Sequence, residues 1–291
     1  VGGCVGQQEK ENLIKNQPLI DFVFGTDNID SLPNLVSQVF SDKAKVIQTK
    51  FEHRAPYHVE TLVRNPGVSS FVNIAKGCDN FCTFCIVPYV RGRERSRSPQ
   101  SIISEIQQAL DDGYREVTLL GQNVNSYHYG SYRFPELLEL VAAIPDLRRI
   151  RFTSPHPGDV DEKMLAVMQS HSNICKQIHL PLQAGSSRIL KLMNRSYDQV
   201  HYLKVVNLIR EFLPQVALTT DIIVGFPGET REKFMDTVNL VKKMKFSVIF
   251  ISMYSPRKGT FAQKNFKDDI PLKEKKWRHM FLSKVWKQNK P

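Results

Sequence analysis

Three cysteines within eight positions are the residues of this sequence best suited to chemistry: Cys78, Cys82 and Cys85, in CxxxCxxC spacing. Thiolates are soft ligands that suit zinc or iron-sulfur clusters. A structural zinc ion needs four protein ligands, which only Cys175 or a distant His could complete. A 4Fe-4S cluster held by three cysteines leaves one iron open to a small molecule. The spacing therefore favours a cluster with an open iron, with zinc or packed free thiols as alternatives.

Polar residues after predicted strands form a second group of candidates. Gln122, Asn125, Ser154 and Gln183 carry neutral donors and acceptors that can hold a ribose or an amino acid. Each of them can equally bond its own backbone in a loop. Gly225 begins a Gly-Phe-Pro-Gly-Glu stretch that suits either a tight turn or the close approach of a ligand.

Two other reactive residue types are predicted to be structural. His156 lies between two prolines, and the sequence supplies it with neither a nucleophile nor a metal partner. Cys175 lies between a predicted helix and a predicted strand, where a lone thiol behaves as a small buried hydrophobe. Neither residue is assigned a catalytic role.

Positive charge is concentrated in two segments. The first contains Arg91, Arg93, Arg95 and Arg97, which alternate just before a predicted helix. Guanidinium groups this close repel one another, and a bound phosphate or carboxylate relieves that repulsion. We therefore expect these arginines to bind RNA phosphates or a cofactor carboxylate, with an exposed loop as the alternative.

The second segment, residues 256–291, has eleven Lys or Arg and three Asp or Glu, a net +8 of the +11 carried by the chain. Trp277, Met280, Phe281 and Val285 recur there at helical spacing, which predicts a helix that docks through these residues. A basic excess alone does not identify a nucleic-acid partner. The cations expected to stay in solvent are Lys275, Lys276, Arg278, Lys284 and Lys287.

Strand and helix patterns alternate through the middle of the chain. Six such βα repeats are too few for a closed eight-stranded barrel but predict an α/β fold with an open, partial (β/α)6 TIM-type barrel, whose site lies at the carboxyl ends of the strands. The predicted strands cover 71–75, 116–120, 149–153, 177–180, 216–224 and 247–253. The predicted helices cover 99–112, 162–169, 186–193, 197–213 and 230–244.

Composition excludes several classes of protein. The 291 residues are 41% hydrophobic and 24% charged, and no apolar run approaches the ~18 residues of a membrane span, so neither a transmembrane protein nor a long disordered chain is expected. Five cysteines, an odd number, without a signal peptide favour a reducing cytoplasm over a secreted disulfide scaffold. A first residue of Val1 indicates a piece of a longer protein.

The cysteine motif after the first barrel strand, with Phe84 just before Cys85, resembles the radical S-adenosylmethionine enzymes. In that superfamily the open iron binds the amino and carboxyl groups of S-adenosylmethionine, and one electron cleaves the cofactor to a 5′-deoxyadenosyl radical. The resemblance implies that Cys78, Cys82 and Cys85 hold this cluster. The cofactor contacts it implies are Phe84, Gln122, Asn125, Ser154, Gln183 and Gly225.

A longer stretch, Gly77–Tyr89, narrows the resemblance to the methylthiotransferases, in particular the MiaB-type branch that modifies tRNA. This implies methylthiolation of carbon 2 of N6-isopentenyladenosine at position 37, with S-adenosylmethionine supplying both the methyl group and the radical. Alternatives are threonylcarbamoyladenosine in tRNA or a ribosomal-protein aspartate, and, among non-enzymes, an iron-sulfur electron-transfer or zinc RNA-binding protein. The other similar stretches are 118–127, 151–157, 179–186 and 221–229.

The resemblance also implies a domain order: the end of an N-terminal α/β domain (1–62), the radical barrel (63–258) and a basic helical extension (259–291). Cys4 matches the third ligand of an auxiliary 4Fe-4S cluster, whose other two ligands would precede Val1, and an RNA-binding β-barrel would follow the last residues. The implied partners are a tRNA anticodon loop and a flavodoxin-type electron donor, with no membrane. We expect the 291 residues alone to cleave S-adenosylmethionine slowly without modifying tRNA.

Overall fold

Six parallel strands form the centre of the fold in a computed structural model that describes residues 1–42, 44–51 and 67–291. They make two three-stranded sheets, ordered β3-β6-β9 and β10-β11-β12. A parallel bridge between Ile150 and Ile174 continues the curve from one sheet to the other. The strands thus follow one another in chain order around an open barrel, and the predicted fold class is confirmed.

The strands and helices of the described residues have the following bounds. The barrel strands are β3 (Ser69–Asn73), β6 (Glu116–Leu120), β9 (Arg149–Phe152), β10 (Gln177–His179), β11 (Ala217–Val224) and β12 (Val248–Met253). The other strands are β1 (Phe22–Phe24), β2 (Val46–Gln48), β4 (Ala75–Lys76), β5 (Arg95–Ser96), β7 (His128–Tyr129) and β8 (Tyr132–Arg133). The first six helices are α1 (Gly3–Glu9), α2 (Glu11–Asn16), α3 (Leu32–Asp42), α4 (Val87–Arg91), α5 (Pro99–Asp111) and α6 (Phe134–Ala142). The remaining helices are α7 (Glu162–Ser170), α8 (Ser187–Leu192), α9 (Gln199–Phe212), α10 (Arg231–Met244), α11 (Phe261–Asn265) and α12 (Leu272–Asn289).

Alternation along the strands gives the barrel an apolar outer face and a more polar interior. In β11, Leu218, Ile222 and Val224 are buried in the apolar core. The side chains between them point to the opposite face, because successive strand residues alternate. There Thr219 and Asp221 both contact His179 of the neighbouring strand. The interior is therefore suited to a polar ligand.

A small unit precedes the barrel and is bonded to it. Strands β1 and β2 pair in parallel, with α3 connecting them. Asp27 of this unit forms ion pairs with Lys76 and Arg95 of the barrel. The Thr26 hydroxyl also donates to the Val90 carbonyl at 2.7 Å. The predicted boundary between residues 62 and 63 lies outside the described residues, and the domain division stays a prediction.

Local signals fixed most helix starts. Ser98 caps α5 by accepting from the Ser101 amide, and Pro99 occupies the first helical position, where it needs no donor. Helix α6, which the sequence analysis did not predict, likewise begins at a Phe-Pro pair. Within the described residues, no helix is long and apolar enough to span a membrane.

The predicted docking face of α12 was right for Val285, which is buried, and for Phe281, which packs against the core, but wrong for four other residues. Lys275 and Arg278, expected in solvent, are only 4% and 2% exposed, whereas Trp277 and Met280, expected to dock, are 38% and 63% exposed. Carboxylates beneath the helix determine this orientation: Lys275 pairs with Asp268 at 2.6 Å, and Arg278 pairs with Glu229 at 2.8 Å. The apolar side of the contact comes from Leu282 and Val285, which belong to the main core.

Candidate functional site

The loop Gly77–Ile86, which carries the three cysteines, follows β4 at the carboxyl end of the first barrel strand. Gly77 has φ +86°, and a Cβ there would lie 2.2 Å from the Arg93 carbonyl oxygen, so only glycine fits. The Gly77 amide donates to Oε1 of Gln122 at 2.7 Å, and the Cys78 amide donates to the Gly92 carbonyl. The backbone of this cysteine loop is thus fixed before any ligand binds.

The three thiols of the cysteine loop are free and close enough to influence one another's ionisation. Burial raises the pKa of Cys78, and it raises the pKa of Cys85 to about 11, with the neighbouring cysteines adding to both shifts. Such thiols stay protonated at neutral pH unless a cationic group stabilises the thiolate. The loop is therefore suited to binding a metal rather than to acting as a free nucleophile.

Two nitrogen donors point at sulfur atoms of the loop. Nδ2 of Asn80 lies 3.5 Å from Sγ of Cys78, and Nη1 of Arg195 lies 3.0 Å from Sγ of Cys82. Arg195 is held in place because its Nε donates to the Tyr197 hydroxyl at 3.0 Å. The sequence analysis missed Arg195, since no spacing relates it to Cys82, 113 positions away. Donors to metal-bound thiolates stabilise the charge that the metal site carries.

The sulfur arrangement fits a cluster better than a single ion. Throughout residues 1–42, 44–51 and 67–291, no three His, Cys, Asp or Glu side chains converge closely enough to hold one metal ion. A tetrahedral zinc site needs such convergence, whereas the thiolates of a 4Fe-4S cluster bind separate irons. Three soft donors on one fixed loop, two of them with N–H groups directed at sulfur, match the second requirement.

A cavity of about 400 Å³ occupies the interior of the barrel. His179 lines it, with Nδ1 2.9 Å from the Thr219 hydroxyl and Nε2 3.0 Å from Oδ2 of Asp221. The Phe250 ring lies 5.9 Å from the imidazole, centre to centre. The cavity thus offers an aromatic wall beside groups that can bond the edges of a planar polar ligand. Its other lining residues are Thr118, Arg151, Phe152, Thr153, Ser154, Cys175, Gln177 and Val248.

The predicted cofactor residues have different roles in the structure. Gln122 uses its amide oxygen to hold Gly77. Asn125 exchanges two hydrogen bonds with the His156 backbone, of 2.7 and 3.0 Å, and so braces one loop against another. Ser154 and Gln183 both have positive φ values, and no described residue bonds their side chains. These last two residues retain free donors and acceptors.

The remaining cofactor candidates, Phe84 and Gly225, lie close together. The ring of Phe84 packs edge-on against Phe226, the residue after Gly225. Gly225 has φ +72°, and a Cβ there would lie 2.4 Å from Cγ of Lys275. Its amide donates to Oε2 of Glu229 at 2.6 Å, which closes a tight turn. The turn is therefore built into the fold, and a contact with the cofactor stays a prediction.

The four alternating arginines do not form one exposed patch. Arg97 is 2% exposed and bonds Glu105, Ser101 and the Asn73 carbonyl, which leaves no surface for phosphate. This part of the prediction was wrong, because Glu105, Ser101 and the Asn73 carbonyl together bind the Arg97 guanidinium in the interior. Arg95 pairs with Asp27 and Arg93 with Asp79.

The structure also shows the surroundings of Cys4, Cys175 and His156. Cys4 lies half-buried in α1, a helix that contacts α4 just after the cysteine loop. Cys175 is half-buried and lines the barrel cavity, so its description as a buried hydrophobe was only partly right. His156 is buried, and its Nδ1 accepts from the Gly158 amide. Burial, aided by Arg195 and His201, lowers the pKa of His156 to about 3.

The sequence pattern of the radical SAM superfamily matches residues 72–241. The chain belongs to this superfamily. The match spans the cysteine loop and five of the six barrel strands. Cofactors of the radical SAM superfamily are a 4Fe-4S cluster and S-adenosylmethionine, in agreement with the three-thiol loop.

Among curated proteins, the chain has relatives with which it shares about half of its residues. The chain is 57% identical over 273 residues to tRNA-2-methylthio-N(6)-dimethylallyladenosine synthase of Bdellovibrio bacteriovorus, covering 93% of this chain and 60% of the relative. It is 47% identical to the protein of the same name from Carboxydothermus hydrogenoformans, covering 96% of this chain and 64% of the relative. The chain thus spans about three fifths of the length of these relatives.

Solved structures share the fold. A radical S-adenosylmethionine methyltransferase from Kitasatospora setae aligns with a TM-score of 0.57 and 18% identity over 66% of this chain and 38% of that one. Methylornithine synthase aligns with a TM-score of 0.53 and 16% identity over 75% of this chain and 62% of that one. At such identities these likenesses concern the radical SAM barrel alone.

Proposed function

We propose that the protein to which this chain belongs is a tRNA methylthiotransferase that acts on carbon 2 of N6-dimethylallyladenosine, also called N6-isopentenyladenosine, at position 37. The observation that carries the proposal is the 57% identity, extending over 93% of the chain, to an enzyme named for that product. The fixed cysteine loop at the mouth of a polar barrel supports the same reaction.

Cys78, Cys82 and Cys85 are the proposed ligands of the radical cluster. When bound, the cluster supplies the electron that cleaves S-adenosylmethionine. Arg195 and Asn80 orient the thiolates and stabilise their charge. The free side chains of Ser154 and Gln183 are proposed to bind polar groups of S-adenosylmethionine, because both lie just beyond strands whose ends meet at the barrel mouth.

The barrel cavity is the proposed site for the target base. Its volume of about 400 Å³ lies within the ~300–1,000 Å³ typical of small-ligand sites. A base in an anticodon loop is already splayed out of a helical stack, so it can enter such a cavity at low cost. Phe250 supplies a stacking surface, while Gln177 can bond a base edge through its amide nitrogen, because its amide oxygen already accepts from Arg151.

Cys4 is proposed to be one ligand of an auxiliary cluster in the longer protein. A second S-adenosylmethionine would supply the methyl group by polar transfer to sulfur. The contact between α1 and α4 brings the N-terminal unit beside the cysteine loop, which supports a role next to the radical site. We also propose a cytoplasmic location and an external one-electron donor such as a flavodoxin.

The RNA surface is proposed to include Arg91, which is half-buried, and Arg93, which is exposed. Arg91 has no ion-pair partner within the described residues, and Arg93 is exposed. Replacing both with Gln should weaken binding of an anticodon stem-loop and flatten its log-log salt slope by about one to two units. Filter-binding salt titrations measure this, and identical slopes for variant and wild type would remove both residues from the RNA surface.

Product analysis with the full-length protein tests the proposed function. The reconstituted protein is incubated anaerobically with dithionite, S-adenosylmethionine and tRNA carrying N6-dimethylallyladenosine, and nucleosides are analysed by mass spectrometry. We expect the 2-methylthio product from this tRNA and none from matched tRNA with unmodified adenosine. Product only from threonylcarbamoyladenosine tRNA, or modification of a ribosomal-protein aspartate, would assign the chain to a sister activity.

A further inference from the structure

A second cavity of about 730 Å³ lies beside the cysteine loop. We call it the aromatic groove. Three of its aromatic side chains are exposed large hydrophobics: Phe81, Tyr89 and Phe261. Its other lining residues are Thr83, Arg188, Lys191, Leu192, Asn194 and Phe266.

The wall of the aromatic groove is the cysteine loop itself. Phe81 and Thr83, the two neighbours of Cys82 in the chain, both line it. Hydrogen bonds from Nδ2 of Asn194 to the Phe81 carbonyl and from the Thr83 hydroxyl to the Leu192 carbonyl tie this wall to α8. A partner seated in the groove would therefore lie one residue from a proposed cluster ligand.

The groove and the barrel cavity share no lining residue. A molecule in the groove would therefore leave the barrel cavity free for the target base. It would still contact the two chain neighbours of Cys82. Electron transfer to the cluster requires only that the donor lie close to it, with no contact to the substrate.

The charge of the groove favours an acidic partner. Arg188 and Lys191 are exposed on α8, and neither has a carboxylate partner within the described part of the chain. No Asp or Glu lines the groove. Exposed aromatics form the energetic centre of many interfaces, and rim cations accelerate association with acidic surfaces.

We propose that the aromatic groove is the docking surface for an acidic, flavin-containing one-electron carrier. The inference rests on the proposed function, because reductive cleavage of S-adenosylmethionine consumes one electron. That electron passes from the reduced flavin of the carrier to the cluster, so the flavin is oxidised and the cluster reduced by one electron. No bond forms or breaks at the interface.

RNA is the competing occupant, since aromatic residues and cations also bind single strands. Two observations favour the carrier. Two cations give few phosphate contacts, whereas RNA binding usually engages many. The groove also shares no lining residue with the barrel cavity, which is the proposed site of the target base.

Charge reversal tests the proposal in the full-length, cluster-loaded protein. We compare wild type with Arg188→Glu/Lys191→Glu and with a matched control, Lys204→Glu/Lys242→Glu, whose positions are exposed on α9 and α10 away from the groove. Anaerobic stopped-flow spectroscopy follows cluster bleaching after mixing with a reduced acidic flavodoxin. The groove variant should react at least about tenfold more slowly at low salt, and the control should match wild type.

Dithionite serves as the small reductant that needs no docking surface. It should reduce all three proteins at the same rate, which shows that the cluster itself is intact. Equal rates with flavodoxin for wild type and groove variant would overturn the proposal, and so would normal reduction combined with lost tRNA affinity, which would assign the groove to RNA. Absence of the methylthio product with a normal flavodoxin effect would reject the proposed function and leave the docking surface standing.

Discussion

The cysteine loop and the anchor of α12 both bury polar side chains, but they differ in how those groups are satisfied. We call Glu229, Lys275 and Arg278 the α12 anchor. Arg278 donates to the Glu229 carboxylate, which also accepts from the Gly225 amide, and Lys275 bonds Asp268 and the Tyr254 carbonyl. In the cysteine loop, the thiols receive N–H groups while no described cation other than Arg195 bonds a sulfur.

This difference distinguishes buried groups that stabilise the fold from buried groups that are available to bind a ligand. A buried ion pair with its hydrogen bonds in place contributes to a defined fold and has no capacity for a ligand. Thiols that are partly or fully buried near one another, with raised pKa values at Cys78 and Cys85, are costly to ionise until a metal binds. Removing a cysteine from the loop should therefore lower the metal content, whereas removing a residue of the α12 anchor should lower stability and leave the metal content of the folded protein unchanged.

The largest effect is expected at the cysteine loop. Cys82→Ala should lower iron after anaerobic reconstitution from about four per chain to near none at the radical site, because two thiolates cannot hold the cluster. Iron and sulfide analysis measures it, using the chain of 291 residues. Cys175→Ala is the matched control and should keep its iron. Unchanged iron in Cys82→Ala would contradict the assignment.

At the α12 anchor, the effect should be on stability alone. Arg278→Met leaves the Glu229 carboxylate buried without its cation and should cost about 3–5 kcal/mol of unfolding free energy. Denaturant titration measures this, and iron content of the folded variant should stay normal. Adding Glu229→Gln removes the stranded charge, so the double variant should recover part of the loss. A single variant as stable as wild type would show that the pair is not needed.

Arg195 shares features of both regions, since it is a part-buried cation whose partner is Cys82, a proposed cluster ligand. Arg195→Gln should lower the reduction potential of the radical cluster, because the reduced cluster carries more negative charge and loses a donor. We expect about a tenfold change in the reduction equilibrium, which is ~59 mV for one electron. Redox titration monitored by electron paramagnetic resonance measures it. Arg195→Lys should shift the potential less, and an unshifted Arg195→Gln would remove the tuning role.

The smallest effect is expected at His156, a buried residue whose Nδ1 already accepts from the Gly158 amide. Its native pKa of about 3 lies below the ordinary ~6.5, so the unfolded state takes up a proton first as pH falls. Stability should thus be intact above pH 6.5 and decline below it by up to ~1.4 kcal/mol per pH unit. His156→Asn keeps an acceptor for Gly158 and should flatten this decline. An unchanged slope in denaturant titrations at pH 4 to 7 would contradict the prediction.

Much of the barrel could be predicted from the sequence, because its signals are local. Alternation and apolar runs located all six barrel strands to within two residues at each end. The cysteine loop was recognisable because its three cysteines, the proposed cluster ligands, lie within eight positions. Arg195 could not be found in this way, since the fold alone brings it to Cys82.

The two basic segments show where sequence periodicity misleads. Helical spacing of apolar residues in α12 pointed to Trp277 and Met280, but carboxylates under the helix attract Lys275 and Arg278 instead. The regular spacing of the arginines said nothing about which of them would be buried against Glu105. Partners that are distant in sequence decided both cases.

Asp27 has a consequence for hydrogen exchange. Its carboxylate is shared by Lys76 and Arg95, and all three lie at the contact between the N-terminal unit and the strand that leads into the cysteine loop. If the N-terminal unit unfolded alone, Lys76 and Arg95 would lose their buried carboxylate partner. The unit and the β4 segment should therefore open together. The amides of β1 and of β4 should then exchange with deuterium with one common opening free energy, as a single cooperative unit.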